Sequence, residues 1–191
     1  MNNLQIQNSY LEFSANDENM NFVYVLSKLL KINKNSFIKS MSSFLGLPHR
    51  YEIFFKKKGI TFINDSKATS FQATKFALAS SKNIYWILGG LPKDKDKIDL
   101  RYIKDNIIKS YIIGKNTNFF KKQLKGKVKF SVTKNLKNAI IEILKDIKLL
   151  KKINNIILLS PGAASFDQFK NFENRGNEFK KLSKLYAKKL I

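Results

Sequence analysis

The fold is decided by the stretch Ser160-Pro-Gly-Ala-Ala-Ser-Phe-Asp-Gln-Phe-Lys-Asn-Phe172. It follows the apolar run 156–159, which is typical of a buried strand, and it precedes a helical pattern from Asn174 onward. Small residues at the end of a strand allow a ligand to approach the backbone, and in open α/β sheets ligands bind at that edge. The stretch therefore predicts a strand, a ligand-facing loop and a helix.

Strand and helix patterns alternate along the chain. We predict strands at 51–55, 60–64, 84–88, 107–113, 128–131 and 155–160, and helices from 19 and at 36–44, 71–80, 100–104, 118–122, 135–148 and 176–191. Residues 1–15 alternate weakly, which predicts one or two short strands. The alternation predicts an α/β fold with a mostly parallel sheet covered by helices on both faces.

The boundary between two parts is expected near Gly46 and Pro48, because glycine ends a helix and proline prevents its continuation. Residues 1–46 carry too little apolar surface for an independent domain, so we expect them to be the end of something larger. Residues 47–191 are long enough to bury one core.

Composition restricts the compartment and the kind of metal site. The chain has no cysteine, which excludes disulfides and thiolate metal sites and favours a reducing compartment. Residues 1–17 lack the apolar segment of a signal peptide, and no apolar run approaches the roughly 20 residues of a membrane span. We therefore expect a cytoplasmic protein without membrane insertion.

The formal net charge of +22 has two interpretations. A basic surface can bind nucleic acid or an anionic membrane. However, only Arg50, Arg101 and Arg175 are arginines, and the lysines are spread along the whole chain. Because arginine dominates base readout and bidentate phosphate contacts, we expect no specific nucleic-acid partner, only non-specific affinity for polyanions at low salt.

Two segments at predicted strand ends carry polar groups. Asn64-Asp-Ser-Lys-Ala-Thr69 leaves one strand and enters a helix, which Asp65 or Ser66 is suited to cap. Its lysine and hydroxyl beside free backbone N–H groups would also form an anion site, and the sequence leaves both interpretations open. Gly89-Gly-Leu-Pro-Lys93 follows the next strand and predicts a tight turn.

Leu47-Pro-His-Arg50 contains the only histidine of the chain. A single histidine is more often a hydrogen-bonded structural residue than a catalyst, so we interpret His49 as positional. The segment lies at the proposed boundary, where its backbone could act as a hinge.

These segments, in this order and spacing, resemble the C-terminal part of the Mur ligases, and within that family the ligases that add D-glutamate. The resemblance covers nearly the whole chain. It implies a Rossmann-like C-terminal domain at 47–191, preceded at 1–46 by a short strand and helix remnant of the ATP-binding central domain. The implied reaction joins D-glutamate to UDP-N-acetylmuramoyl-L-alanine in peptidoglycan synthesis, with ATP and magnesium.

The resemblance also implies roles for single residues. D-glutamate would be bound by Lys67, Thr69, Lys93, Ser165 and Phe172. Lys95 and Lys97 are close enough to Lys93 to take its place.

Arg50 and Lys93 would act on the reacting groups, and Arg50 would stabilise charge on the transferring phosphoryl group. The nucleotide would contact Asn19 at the adenine and Asp65 near the ribose. A helix cap is the competing explanation for Asn16 and Asn19. Ser70 stands where the family more often has Asn.

The sequence lacks a Gly-x-x-x-x-Gly-Lys-Ser/Thr phosphate loop. In the Mur ligases this loop, the magnesium ligands and the UDP-sugar domain all precede the matched part, so no metal ligand is assigned here. We expect a truncated product, a piece of a longer reading frame or half of a split enzyme, inactive without the upstream domains.

Two other functions stay open. One is a non-catalytic binding domain or partner subunit of a Mur-type ligase, and the other is a neighbouring ligase that adds a diamino acid. The Ser-Phe-Asp-Gln-Phe run and the position of Lys93 favour D-glutamate.

Overall fold

The computed structural model describes residues 17–191 together with Ile6, Asn8 and Leu11. The strands predicted within 1–15, and Asn16 as a cap, therefore lie outside the described residues. The chain divides into two compact units, Met1–Gly46 and Leu47–Ile191. Each unit is described by itself.

The described part of the first unit contains two helices, α1 (Asp17–Leu29) and α2 (Lys34–Ser42). Asn33 caps α2, since its Oδ1 accepts a hydrogen bond from the backbone N–H of Ser36. The ring of Tyr24 meets the buried ring of Phe37 edge-on, with 5.5 Å between centroids. Much of α1 is apolar and exposed, and the buried apolar side chains described in this unit are Met20 and Phe37.

The second unit is built on a six-stranded sheet in the order β1-β2-β6-β3-β4-β5. All neighbouring strands are parallel except β1 and β2, which form an antiparallel hairpin. The strands are β1 (Glu52–Lys57), β2 (Ile60–Asn64), β3 (Ile84–Gly89), β4 (Ile107–Ile113), β5 (Phe130–Lys134) and β6 (Asn155–Leu159). The predicted α/β class with a mostly parallel sheet is confirmed.

Helices cover both faces of this sheet. They are α3 (Phe71–Ala79), α4 (Thr117–Leu124), α5 (Leu136–Leu150) and α6 (Phe172–Leu190). On one face α5 and α6 bury apolar side chains, among them Ile143 and Phe179, against strand residues such as Ile87. On the other face Leu78 of α3 and Trp86 of β3 line the same small cavity. β3 is buried along its whole length, as expected for a central parallel strand.

Because of the register between the central strands, their carboxyl ends lie at the same height along the sheet. Leu159 at the end of β6 pairs with Asn64 of β2 on one side and with Ile87 of β3 on the other. The loops that follow β2, β6 and β3 therefore leave the sheet side by side.

Three predicted elements differ most clearly from the structure, and several others differ by one or two residues at an end. Residues 100–104 form turns that lead into a short 3₁₀ helix, Lys104–Asn106, instead of a helix. The fifth strand begins at Phe130 and not at 128. The last helix begins at Phe172 and not at Gly176, because the Asn171 side chain accepts from the Asn174 N–H at 2.8 Å and caps it there.

Candidate functional site

The loop of residues 160–171, which connects β6 to α6, spans the carboxyl edge of the sheet. It is hydrogen-bonded to the segments that follow β2, β3 and β4 and to the end of β5. The bonded pairs are Gly162 with Ala68, Ala164 with Leu91, Asp167 with Lys115 and Gln168 with Lys134. One loop therefore determines how the other strand-end segments are arranged.

Leu91 and Ala164 form a two-way backbone bridge, with N···O distances of 2.8 and 3.0 Å. The bridge requires glycine next to it, since Gly90 has φ +138° and a Cβ there would collide with the carbonyl oxygen of Ala164. The paired glycines thus allow the loop that carries Lys93 to lie directly against the loop that carries Ser165.

A buried arginine at the start of α6 is hydrogen-bonded to the segments that follow β2 and β6 and to the end of β3. Arg175 is 1% exposed, and its guanidinium donates to the Ser66 carbonyl (2.9 Å), the Ser66 hydroxyl (3.0 Å) and the Ala163 carbonyl (3.0 Å). A longer contact of 3.5 Å reaches the Gly89 carbonyl. Burial lowers the pKa of Arg175 to about 10, so the side chain remains a cation at neutral pH.

The four residues predicted to hold D-glutamate carboxylates are all on loops at this edge. Lys67 and Thr69 follow β2, Lys93 follows β3, and Ser165 follows β6. Lys67 and Lys93 are exposed, whereas Ser165 is buried. Because β2, β6 and β3 are neighbours in the sheet, these residues lie on adjacent loops and not on separate faces of the molecule.

Phe172 contacts Lys67. The Lys67 Nζ lies 3.9 Å from the centroid of the Phe172 ring, which is a cation–π distance. The Phe172 carbonyl accepts from the Ser66 hydroxyl at 2.8 Å, so the residue is tied to the same segment twice. Phe172 therefore orients the ammonium group of Lys67.

The first turn of α3 already has internal partners. Ser70, not Asp65 or Ser66, is the N-cap, since its Oγ accepts from the Ala73 N–H. The Phe71 N–H donates to Asp96 Oδ2 at 3.0 Å. These two N–H groups are not free for an external anion, and Asp96 instead links the loop of Lys93 to α3.

The turn that carries Arg50 has an unusual backbone. His49 and Tyr51, on either side of it, have φ values of 64° and 47°, in the left-handed region that costs such residues on the order of 1–3 kcal/mol each. Hydrogen bonds hold this turn: the Tyr51 N–H donates to Asp65 Oδ1 (3.1 Å), and the His49 N–H donates to Glu52 Oε2 (3.0 Å). Arg50 is exposed and sits on this fixed turn.

The His49 ring is buried and structural. Its Nδ1 lies 2.9 Å from the Asn64 amide nitrogen, which places the ring proton on Nε2. Burial, and then the positive charge of Lys180, lower the pKa of His49. The ring packs edge-on against Phe172 and sits where Gly176 of α6 has no side chain. His49 therefore fixes the start of α6 against the end of β2.

Asp65 is nearly buried and bonded through both oxygens. Oδ1 accepts from the Tyr51 N–H and Oδ2 accepts from the Ser160 hydroxyl at 2.7 Å. Burial raises the pKa of Asp65 to about 7, against the lowering effect of these hydrogen bonds and of Arg50. Its visible role is to join the Arg50 turn to the end of β6, and a contact with a ribose stays a prediction.

Two further predictions concern the nucleotide and the metal. Asn19 lies near the start of α1 in the first unit and is exposed. Within residues 17–191, no group of three or more histidine and acidic side chains is arranged to hold a metal ion. The helices in that part of the chain are also too short or too polar to cross a membrane.

Sequence reasoning did not assign Arg175 a site role, although a signal was present. The buried face of α6 carries Arg175, Phe179, Ser183 and Ala187, each one helical turn after the last. Arg175 is the first residue on a helix face whose other members are apolar or small, and this pattern indicates that its side chain is buried. The roles of Asp96 and Ser160 had no comparable signal, because their partners are distant in sequence.

Comparison with known proteins gives relatives over most of the chain, although no family model matches it. A UDP-N-acetylmuramoylalanine–D-glutamate ligase from Wolbachia sp. subsp. Brugia malayi is 37% identical over 177 residues, covering 93% of this chain and 35% of that relative. The enzyme of the same name from Rickettsia felis is 35% identical over 184 residues, covering 96% of this chain and 41% of the relative. The chain is a homologue of the Mur ligases. This confirms the resemblance to the Mur ligases that the sequence segments indicated.

This Mur ligase homologue also shares its fold with a solved member of the family. The MurF ligase from Thermotoga maritima, crystallised with ADP, superimposes with a TM-score of 0.56 at 13% identity. The match covers 86% of this chain and 36% of that structure. The homologue thus spans well under half the length of the relatives that it matches.

Proposed function

We propose that this chain is the amino-acid-binding part of an ATP-dependent ligase that joins D-glutamate to UDP-N-acetylmuramoyl-L-alanine in peptidoglycan synthesis. One observation carries the proposal: Lys67, Thr69, Lys93 and Ser165 lie on adjacent loops where β2, β6 and β3 end. D-glutamate has two carboxylates, and ammonium and hydroxyl groups are suitable donors to them. Relatives that carry the name of this enzyme, at 35% to 38% identity, support it.

The proposed contribution of this chain to the reaction is orientation. Amide formation requires the free amine of D-glutamate to attack a carboxyl carbon, which ATP activates by supplying a phosphoryl group that then leaves as phosphate. Fixing both carboxylates of D-glutamate directs its amine at that carbon, and such positioning lowers barriers by several kcal/mol. In this proposal the chain supplies neither the nucleophile nor a metal ligand.

The residues assigned to the nucleotide differ in how well they fit it. Arg50 fits contact with a phosphoryl group, because it is an exposed cation on a turn whose backbone is held at both flanks. Asn19 has an exposed amide suited to an adenine edge. Asp65 fits a ribose less well, because a protein group already donates to each of its oxygens.

We also propose how the two units divide this function. Residues 47–191 form the amino-acid-binding domain, and residues 1–46 form the end of an ATP-binding domain. Magnesium would be held by the part of such a ligase that this chain does not span. On this proposal the chain is cytoplasmic, where ATP and UDP-linked precursors are found, and it is inactive as a ligase by itself.

The test is an NMR titration of the 15N-labelled chain with D-glutamate and, separately, with L-glutamate. We expect saturable shifts of the amides around Lys67, Lys93 and Ser165 with the D isomer and weaker ones with the L isomer. Lys93→Ala should weaken binding, whereas Lys82→Ala, an exposed lysine at the amino end of β3, should not. Equal responses to both isomers, or none at the three loops, would refute the proposal.

A second assay addresses activity. The purified chain is incubated with ATP, magnesium, D-glutamate and UDP-N-acetylmuramoyl-L-alanine, and phosphate release is followed. We expect none above background. Release that depends on D-glutamate would show a complete ligase in place of a part of one.

A further inference from the structure

We propose that Arg175 is the positioning residue of this site, and that its guanidinium sets the spacing between the loops that carry Lys67, Lys93 and Ser165. The inference rests on the proposed function for the identity of the ligand. It goes beyond that function because Arg175 itself is buried and does not reach the ligand.

The contacts of Arg175 place it between the loops. Ser66 immediately precedes Lys67, and Ala163 lies two residues before Ser165. Nε and Nη2 bind Ser66 through its hydroxyl and carbonyl, and Nη2 also binds the Ala163 carbonyl. Nη1 reaches the carbonyl of Gly89, which leads into the loop of Lys93. A displacement of the guanidinium would therefore move all three loops.

Stability alone does not account for a cation at this position. Within the part of the chain that the structure describes, its hydrogen-bond acceptors are all neutral oxygens, and Asp167 acts on it only at a distance. Burying a charge costs free energy that a well-packed apolar side chain would avoid. A planar guanidinium, in contrast, can hold several acceptors at fixed angles at once, which neither an apolar side chain nor a lysine does.

The same network includes Phe172. The Ser66 hydroxyl accepts from Arg175 and donates to the Phe172 carbonyl at 2.8 Å. Phe172 in turn contacts the Lys67 ammonium. Arg175 therefore controls both the backbone and, through Ser66 and Phe172, the side-chain orientation of Lys67.

The experiment compares Arg175→Lys with Arg101→Lys, a surface arginine, in the full chain. D-glutamate affinity is measured by NMR titration, folding by urea denaturation, and loop geometry by amide shifts without ligand. We expect Arg175→Lys to stay folded, to shift the amides near Lys67, Lys93 and Ser165, and to bind D-glutamate about tenfold more weakly, because small misplacements of positioning groups have large effects. Arg101→Lys should match the wild type.

Ser66→Ala keeps the arginine and removes one acceptor, so it serves if Arg175→Lys does not fold. The chain has only three arginines, so their Nε–H signals can be resolved and assigned. The Arg175 signal should exchange slowly with water in the wild type and faster in Ser66→Ala, with a smaller loss of affinity than in Arg175→Lys.

The two proposals fail in different ways. If the wild-type chain does not bind D-glutamate, the proposed function is wrong, while the loop shifts without ligand still decide the role of Arg175. If Arg175→Lys folds and binds D-glutamate like the wild type, or loses stability without moving the three loops, the positioning role is wrong. If Ser66→Ala leaves the amide shifts of the three loops and the affinity for D-glutamate unchanged, the positioning role of Arg175 is also wrong.

Discussion

Replacing Asp65 with Asn should make the second unit more stable at high pH. Burial raises the folded-state pKa of this carboxyl from 3.8 to about 7. Above pH 4 the unfolded chain therefore releases a proton that the folded chain keeps, and stability falls as pH rises until the folded group titrates as well. At about 1.4 kcal/mol per pH unit, the native state loses about 4 kcal/mol between pH 4 and 7.

An asparagine would fit the same contacts without the charge. Its Oδ1 can accept from the Tyr51 N–H, as Asp65 Oδ1 does, and its amide can donate to the Ser160 hydroxyl, which both donates and accepts. We therefore expect Asp65→Asn and wild type to be about equally stable at pH 4. At pH 8 the variant should be more stable by up to about 4 kcal/mol.

Urea denaturation at several pH values measures this difference. The single tryptophan, Trp86, is fully buried and donates to the Ser160 carbonyl, so its fluorescence reports on the unit that contains Asp65. His49 has a lowered pKa and contributes the opposite slope, but it is present in both proteins and its effect largely cancels.

The control is Asp99→Asn. Asp99 is exposed, and hydrogen bonds from Arg101 hold the pKa of its carboxyl well below its usual range, so it does not titrate between pH 5 and 8. Removing this charge should leave the pH dependence unchanged. If Asp65→Asn gains no stability over wild type as the pH rises from 5 to 8, burial does not raise the pKa of Asp65 in the folded protein.

Three other substitutions test contacts of the site. Gly176→Ala should lower the free energy of unfolding in urea by about 1–3 kcal/mol, because the added methyl would collide with the His49 ring. Asn177→Ala, on the exposed side of the same helix, should not lower it. A Gly176→Ala variant that is more stable than the wild type would contradict this. Phe172→Ala should weaken D-glutamate binding about two- to fivefold in NMR titrations, since Lys67 loses a cation–π contact. Phe172→Tyr keeps an aromatic ring and should bind D-glutamate like the wild type. Equal affinities of the two variants for D-glutamate would count against the contact. Asp96→Ala should cost about 1 kcal/mol and speed hydrogen exchange of the first amide of α3, and unchanged protection there would disprove its capping role.

Two strands were predictable to the residue because local patterns define their ends. β2 and β4 have the bounds that the sequence predicts, Ile60–Asn64 and Ile107–Ile113. In both strands the apolar run stops at a polar residue or a glycine, so the local sequence alone indicates where the strand ends. Helix starts were less predictable, because several polar residues compete for the cap. In the structure Ser70 caps α3 and Asn171 caps α6, each accepting a hydrogen bond from the backbone N–H three residues further on.

The loops of the site were predictable for the same reason, and the contacts that join them were not. That residues after β2, β3 and β6 meet follows from a parallel sheet. That Asp65 bonds the backbone of Tyr51, or that Arg175 bonds Ser66 from 109 residues away, depends on how the loops fold back. Local sequence patterns do not predict contacts between residues so far apart along the chain.

The excess of positive charge makes the spacing of the loops decisive for specificity. A chain with a net charge of +22 attracts any small dianion, including phosphate and both isomers of glutamate. Salt screens that attraction beyond about 8 Å at physiological ionic strength, and the attraction acts on all of these dianions alike, so it contributes little discrimination. D-glutamate and L-glutamate have the same distance between their carboxylates, so discrimination between them needs a third fixed contact, such as one that directs the amine, in addition to the two carboxylate contacts. On our proposal, the guanidinium of Arg175 and the backbone bridge between Leu91 and Ala164 hold the loops that carry these contacts at fixed positions.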